Sequence, residues 1–291
     1  MASIAVTGAS GKLGSAVIRF LLERKVAPPD IVAVVRDPAK VADAAARGVQ
    51  ARRGDYTEPA SLESAFRGVD QLLFISSSAL GEERMLHHRN VVTAARTAGV
   101  KHIFYTSAIK ASADARFAAS PGHFHTEVLI RESGIAYTFF RNNLYLDLVP
   151  LMFGAAVPTG TLVHNGGDAR VGFVAREDIA FGLAAALTHG DHRNRTYAIT
   201  ALSPYSLTDI AAALGKASGK NVVYKPTSSE DFRKYLESAG LPAPIVGMSV
   251  GLGEAIRAGE FDAGAKDLEH LMGRPPVALE PFLGKALTGF T

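Results

Sequence analysis

The stretch "IAVTGASGKLG", residues 4–14, constrains this chain more than any other. A short apolar run breaks into glycines spaced three apart, and a helical pattern follows at once. Each glycine has its own physical task. Gly8 permits the tight turn out of the strand, Gly11 lets the backbone approach a bulky anion, and Gly14 lets the next helix pack closely on the strand. The start of that helix adds free N–H groups and a partial positive charge, a setting for phosphate. Gly8, Ala9, Ser10, Gly11, Lys12 and Leu13 are therefore the expected phosphate-binding residues. A glycine turn alone is a weak signal; strand, turn, helix and second strand in this order are the context that supports it.

The same alternation runs through the first half. "SIAVT", "IVAVV", "VQARRG", "QLLFIS", "HIFYT" and "AYTFF" read as strands, with helices over residues 12–24, 38–47, 60–66, 83–98 and 123–133. Parallel strands need right-handed crossovers. The order therefore predicts an α/β fold, a Rossmann-type doubly wound parallel sheet with helices on both faces. After Asn143 the pattern changes to "LYLDLVPLMFGAAVPTG", a helix over 176–187, a short strand at 197–199 and a capping-box helix start in "SLTD". A strand in "NVVYK", a helix opening at Ser229 and helical pieces split by Gly240, Gly273 and Pro275 follow. Residues 1–150 are expected to form the dinucleotide-binding domain, with the helix near 176–189 returning to it. Residues 151–291 are expected to form a smaller α+β substrate domain.

Composition narrows the classes. The 291 residues contain no cysteine, which removes disulfides, thiolate catalysis and cysteine zinc sites and suits a reducing compartment. No signal-like segment precedes the first strand and no apolar run is long enough to span a bilayer, so a cytoplasmic chain with no membrane attachment is the expectation. The net charge of +3 is dispersed, densest at Arg47, Arg52 and Arg53, and no nucleic-acid partner is expected. His123 and His125 form an H-x-H without a third ligand nearby, so no metal is expected. His87 and His88 are expected on a helix, one of them solvated.

The end of the second strand selects the nucleotide. An acidic residue there would accept from a ribose 2′-OH; "VVRDPAK" instead presents Arg36, whose guanidinium suits a 2′-phosphate. Lys40 adds charge. Asp37 is the competing candidate, although Pro38 marks it as the residue before a helix start. The expected cofactor is NADP(H). Asp55 and Tyr56 in "GDY" follow the third strand, where Asp55 could meet the adenine amine. Ser76, Ser77 and Ser78 end the fourth strand and could line the dinucleotide.

Taken in order, "AVTGASGKLG", "VRDPAK", "GDYTEPASL", "LLFISSS", "RNVVTAARTAGVKHIFYTS", "HFHTE", "YTFFRNNLY", "VAREDIA", "SGKNVVY" and "GLPAP" span nearly the whole chain. With them the sequence resembles atypical short-chain dehydrogenase/reductases of the NmrA-like group, more narrowly the bacterial NADPH:quinone oxidoreductases and triphenylmethane reductases. The resemblance implies NADPH-dependent reduction of quinones or dyes and a small C-terminal substrate domain. One departure from ordinary short-chain dehydrogenases matters: no Tyr-x-x-x-Lys exists here, and the nearest echo, Tyr137 and Arg141, lies in a predicted strand. "GHFHTE" stands at the expected helix start, and His123 matches a histidine the quinone and dye reductases carry three residues before Thr126-Glu127. His123 could bond the nicotinamide ribose or donate a proton; a histidine that only caps or packs is the plainer alternative. Hydride addition to a quinone gives a delocalised anion that needs little protein acid, whereas a ketone gives an alkoxide, so the missing pair favours electron-poor acceptors.

"RNNLYLD" should emerge at the sheet's C-terminal edge. Asn142 and Asn143 are expected at the nicotinamide, with His123 and Asn143 as the catalytic candidates. Tyr145, Leu146, Val149 and Phe153 are expected to wall a flat apolar pocket for an aromatic substrate, with Arg176 beside it; interface packing is the alternative for Val149 and Phe153, and capping or ion pairing for Arg176 and Asp178. A homodimer is the one assembly anticipated. The rival function is a redox sensor of the NmrA type that binds NADP(H) without turnover.

Overall fold

The structure, a computed structural model, describes residues 2–287. Its strands are β1 (Ile4–Thr7), β2 (Ile31–Val35), β3 (Gln50–Arg53), β4 (Gln71–Phe74), β5 (His102–Ala108), β6 (Ala136–Asn142), β7 (Thr161–His164), β8 (Arg170–Val171), β9 (Arg195–Ile199), β10 (Tyr205–Ser206) and β11 (Val223–Pro226). Its helices are α1 (Lys12–Glu23), α2 (Ala42–Ala46), α3 (Pro59–Ala65), α4 (Gly81–Thr97), α5 (Ser120–Glu132), α6 (Val149–Phe153), α7 (Ala156–Thr159), α8 (Arg176–Thr188), α9 (Leu207–Ser218), α10 (Ser229–Ser238), α11 (Ala243–Arg257), α12 (Asp267–Met272) and α13 (Leu279–Leu287).

Seven strands form one all-parallel sheet in the order β3-β2-β1-β4-β5-β6-β9. Every residue of β1 and β2 is buried, which is why they read as unbroken apolar runs. A parallel strand covered on both faces has no solvent side to alternate with. Val17 and Leu21 of α1, Ile179 and Leu183 of α8, and Leu268 of α12 cover one face. Leu62 and Phe66 from the α3 region, Val91 and Ala95 of α4, and Ile130 of α5 cover the other.

The expected boundary at residue 150 needs correction. Strand β9 and helix α12, both placed in the second domain by sequence, belong to the sheet layer together with the anticipated α8. The remainder gathers a separate core from Leu146, Phe153, Leu162, Leu207, Ile210 and Leu283 around the parallel pair β7–β11 and the antiparallel pair β8–β10. The capping box at α9 forms as read: Ser206 Oγ accepts the Asp209 N–H at 3.1 Å, and Asp209 accepts the Ser206 N–H at 2.8 Å. Helix α5 starts at Ser120, three residues before the expected start, so His123 ends its first turn.

Candidate active site

The strand order reverses between β1 and β4, the place where open parallel sheets bind ligands. There the chain turns through Gly8 at φ +59°, and the Gly11 N–H closes the turn onto Gly8 O at 2.9 Å. Helix α1 then starts with no side-chain cap and no acidic residue in its first turn, so its polarised N–H end is open. A Cβ on Gly14 would lie 2.4 Å from Gly8 O and 2.9 Å from Ala9 Cα, so only glycine lets α1 press against the turn. A recess of about 320 Å³ brings Ala9 and Ser10 together with Lys40 and with Arg47. Arg36 is exposed at the end of β2 and makes no hydrogen bond or ion pair among the described residues. Asp37 accepts the Ala39 N–H at 3.0 Å and caps the 3₁₀ turn Pro38–Val41, the role Pro38 announced.

Around this loop several expected contacts are spent within the protein. Asp55 Oδ1 accepts the Thr57 N–H (2.9 Å) and hydroxyl (2.8 Å); that backbone bond, with Arg36 and Arg53 nearby, holds the carboxyl below the usual range. The Tyr56 hydroxyl donates to Ile75 O and lies against Thr7 Oγ1, both at 2.6 Å. It ties the ends of β1 and β4 together, so that hydroxyl is engaged within the protein. The Ser76 N–H goes to Thr106 Oγ1 and the Ser77 N–H to His88 Nε2, both at 2.9 Å. Ser77 Oγ meets His87 Nδ1 at 3.0 Å. His87 and His88 are thus both buried, against the expectation that one is solvated, because α4 turns them inward to brace this loop.

His123 is buried, with Nδ1 at 2.8 Å from the Tyr105 hydroxyl. Four residues on, where the ordinary pair has its lysine, stands Glu127, wholly buried. It accepts from Ser107 Oγ (2.7 Å), from Arg141 Nε (2.9 Å) and Nη2 (2.7 Å), and from Arg131 Nη2 (3.1 Å). The lysine's place therefore holds a neutralised carboxylate. Arg84, also buried, donates to Ala79 O (2.6 Å) and Ala119 O (3.2 Å) and has no carboxylate partner among the described residues. Sequence reasoning missed Tyr105, Ser107, Arg84 and Glu127; the His123–Glu127 spacing of four on a helix was the available signal.

Burial, reinforced by the Arg84 cation, pushes His123 down to about 3; burial likewise pushes His102 and His164 down to about 4. These groups are neutral in the folded chain, while in the unfolded chain they take protons near pH 6.5. The unfolded state then binds more protons, so stability rises with pH across this window. It should be full above about pH 6.5 and fall by about 1.4 kcal/mol per pH unit per histidine below it, until each folded value is reached. Urea midpoints at pH 7, 6 and 5 check this, and a flat profile would mean the rings are charged in the fold.

At the end of β6, Asn142 is buried with Oδ1 unpartnered, while its Nδ2 reaches the Tyr145 hydroxyl at 3.3 Å. Asn143 is committed elsewhere, which corrects its expected catalytic place. Its Nδ2 donates to Thr200 Oγ1 (3.1 Å) and Phe261 O (3.0 Å), and its Oδ1 accepts the Leu144 N–H (2.8 Å). It clamps the end of the sheet to the C-terminal half. Leu146 is corrected too, and Val149 and Phe153 take the packing alternative: all three are buried in the second core. Arg176 is held by Asp147, through Nη1 and its backbone N–H, both at 2.8 Å, and lies over the Tyr145 ring. Asp178 takes Arg274 and the Val277 N–H, the ion-pairing alternative. Tyr145 alone of that apolar set stays half-buried near Asn142.

The open loop, the unpaired Arg36 and the orphaned Asn142 oxygen fit NADP(H), and with the strand order they define a dinucleotide-binding protein of the Rossmann type. The chain belongs to the NmrA-like family, whose sequence pattern matches residues 1–279. It is 40% identical over 280 residues to quinone oxidoreductase 2 of Escherichia coli (strain K12), across 95% of this chain and 96% of that one. It is 31% identical over 281 residues to the NAD(P)H azoreductase of Xenophilus azovorans, across 96% of each. The solved structure of Citrobacter sp. triphenylmethane reductase matches with a TM-score of 0.91 at 39% identity, covering 98% of this chain and 99% of that one. The NADPH-dependent quinone oxidoreductase of Escherichia coli complexed with NADPH matches with a TM-score of 0.92 at 37% identity, covering 98% and 100%. Among the described residues no helix is long and apolar enough to cross a membrane, and no group of three or more His, Cys, Asp or Glu could hold a metal ion.

Proposed function

We propose that the chain reduces quinones and kindred electron-poor acceptors, dyes and azo compounds among them, with hydride from NADPH. It is an NADPH-dependent oxidoreductase. The observation that carries the acceptor class is the helix start: a neutral, buried His123 and a neutralised Glu127 stand where a strong acid pair would serve ketone reduction. Bound NADPH would supply the hydride. The residues Gly8–Leu13 hold the pyrophosphate, Arg36 and Lys40 hold the 2′-phosphate, and Asn142 Oδ1 accepts from the nicotinamide amide or its ribose. His123 offers a hydrogen bond to the acceptor, whose charge after hydride addition is delocalised and needs little more. Residues beyond 151, outside the returning elements, shape the substrate side with Tyr145 at its border. A cytoplasmic homodimer without nucleic-acid partners completes the reading.

Steady-state NADPH oxidation tests it: turnover with quinones, cationic dyes or azo compounds and little with unactivated ketones. His123→Ala should lower quinone turnover only ~10-fold; a loss on the order of 10⁴-fold would make His123 an essential acid and overturn this chemistry. Tight NADPH binding without turnover of any acceptor would favour a sensor. Arg36→Ala should weaken NADPH by about 1.5–3 kcal/mol and leave NADH nearly unchanged. Equal losses for both cofactors would remove Arg36 from the 2′-phosphate.

A further inference from the structure

We propose that Tyr105 is a positioning residue that holds His123 in the tautomer with its proton on Nε2, so that the ring meets the acceptor as a hydrogen-bond donor and not as a base. This rests on placing His123 in the reduction site. One donor in the surrounding network has no freedom. The Ser77 backbone N–H donates to His88 Nε2 (2.9 Å), so neutral His88 carries its proton on Nδ1. That proton goes to Thr126 Oγ1 (2.7 Å), and the Thr126 hydroxyl donates to Gly122 O (2.7 Å).

Tyr105 is wholly buried, and its hydroxyl lies 2.8 Å from His123 Nδ1. Were Nδ1 protonated, the phenol would accept, and its own O–H would need another acceptor in the core, a costly state if unmet. Thr126 is the neighbouring hydroxyl and keeps a second lone pair beside the one that takes the His88 proton, but the hydrogen-bond partner of the Tyr105 hydroxyl among the described residues is His123 Nδ1. A Thr126 hydroxyl turned toward the phenol would donate to it, which again sends the phenol's proton to His123. Nδ1 therefore accepts, and Nε2 keeps the proton. Nε2 makes no hydrogen bond among the described residues, and the residue as a whole keeps 7% exposure. The charged and titratable groups about this ring are Arg84, His88 and Tyr105. Gly122 leaves room for the Arg84 stem, whose Cδ would lie 3.1 Å from a Cβ there, and this cation opposes a second proton on the ring. The acceptor thus gains a hydrogen bond, and the proton that balances its reduction comes from solvent.

Nitrogen NMR of the histidine-labelled full chain reads the tautomer without any turnover, with the His123 signals identified by their loss in His123→Gln. At pH 7 the wild type should show a protonated Nε2 and a bare Nδ1. Tyr105→Phe should mix or reverse the two forms, while Thr126→Val should leave them unchanged. With a quinone acceptor, Tyr105→Phe should lower kcat ~5-fold and leave the KM for NADPH unaltered. A protonated Nδ1 in the wild type overturns the proposal, and that spectrum decides even if Tyr105→Phe does not fold. A tautomer indifferent to Tyr105→Phe, or one that follows Thr126→Val, overturns it as well. Absence of turnover alongside the expected spectra would sink the reductase reading and leave the tautomer assignment standing.

Discussion

Gly11→Val is expected to abolish NADPH binding while the chain stays folded. Gly11 sits at φ −79° and ψ 162°, an extended conformation that valine adopts freely, so the backbone carries no penalty. A Cβ there would lie 3.2 Å from Gly8 O, tight enough to require an adjustment of a few tenths of an ångström and no more. The branched methyls are another matter. They would stand over the open N–H end of α1, where a pyrophosphate must come within hydrogen-bond reach. Loss of that approach should weaken NADPH by at least ~100-fold, about 2.7 kcal/mol. Gly14→Val is the contrast: its Cβ would collide at 2.4 Å with Gly8 O, a backbone atom, and should cost the fold itself. Calorimetric titration beside thermal melts separates the two. NADPH affinity within a few-fold of the parent, on a folded Gly11→Val chain, would reduce the loop to a mere turn.

That loop was legible because its rule is local. Three glycines, a strand before them and helical periodicity after them fix the geometry within residues 4–24, and Pro38 likewise gave Asp37 its capping role. The parts that were not legible depend on contacts far along the chain. Strand β9, "RTYAI", is an edge strand with two exposed residues, and its partner β6 lies well before it, so nothing local marks it as the seventh strand of the sheet. Asn143 reads the same at a strand end whether it faces a ligand or a neighbour, and only its bonds to Thr200 and Phe261 decide. Leu146, Val149 and Phe153 suit a substrate wall or a core equally well until the elements that cover them are known. For Arg141 the sequence offered Tyr137 as companion. The structure pairs it with Glu127 on α5, across a strand–helix interface that no strand periodicity describes.

Arg141→Met is expected to destabilise the fold by about 3–5 kcal/mol, and Glu127→Gln by only about 1–3 kcal/mol. The two partners are not equivalent. Glu127 is 0% exposed, while the Arg141 and Arg131 side chains are 33% and 39% exposed. Removing Arg141 takes two hydrogen bonds from a buried carboxylate, which is then left with Ser107 and one longer bond from Arg131. Removing the carboxylate's charge instead frees two arginines that can turn to water. The double variant Glu127→Leu/Arg141→Met should therefore be more stable than Arg141→Met alone, because it removes the stranded charge along with its partner. Urea unfolding of the three variants at pH 7 measures the coupling. Equal losses for the two single variants, adding up in the double, would show that water serves Glu127 as well as Arg141 does. The asymmetry also bears on chemistry. A carboxylate whose oxygens are taken by Ser107, Arg131 and Arg141 is committed within the protein, so folded Glu127→Gln should keep its NADPH affinity, whereas an ordinary short-chain dehydrogenase could not lose its lysine without consequence.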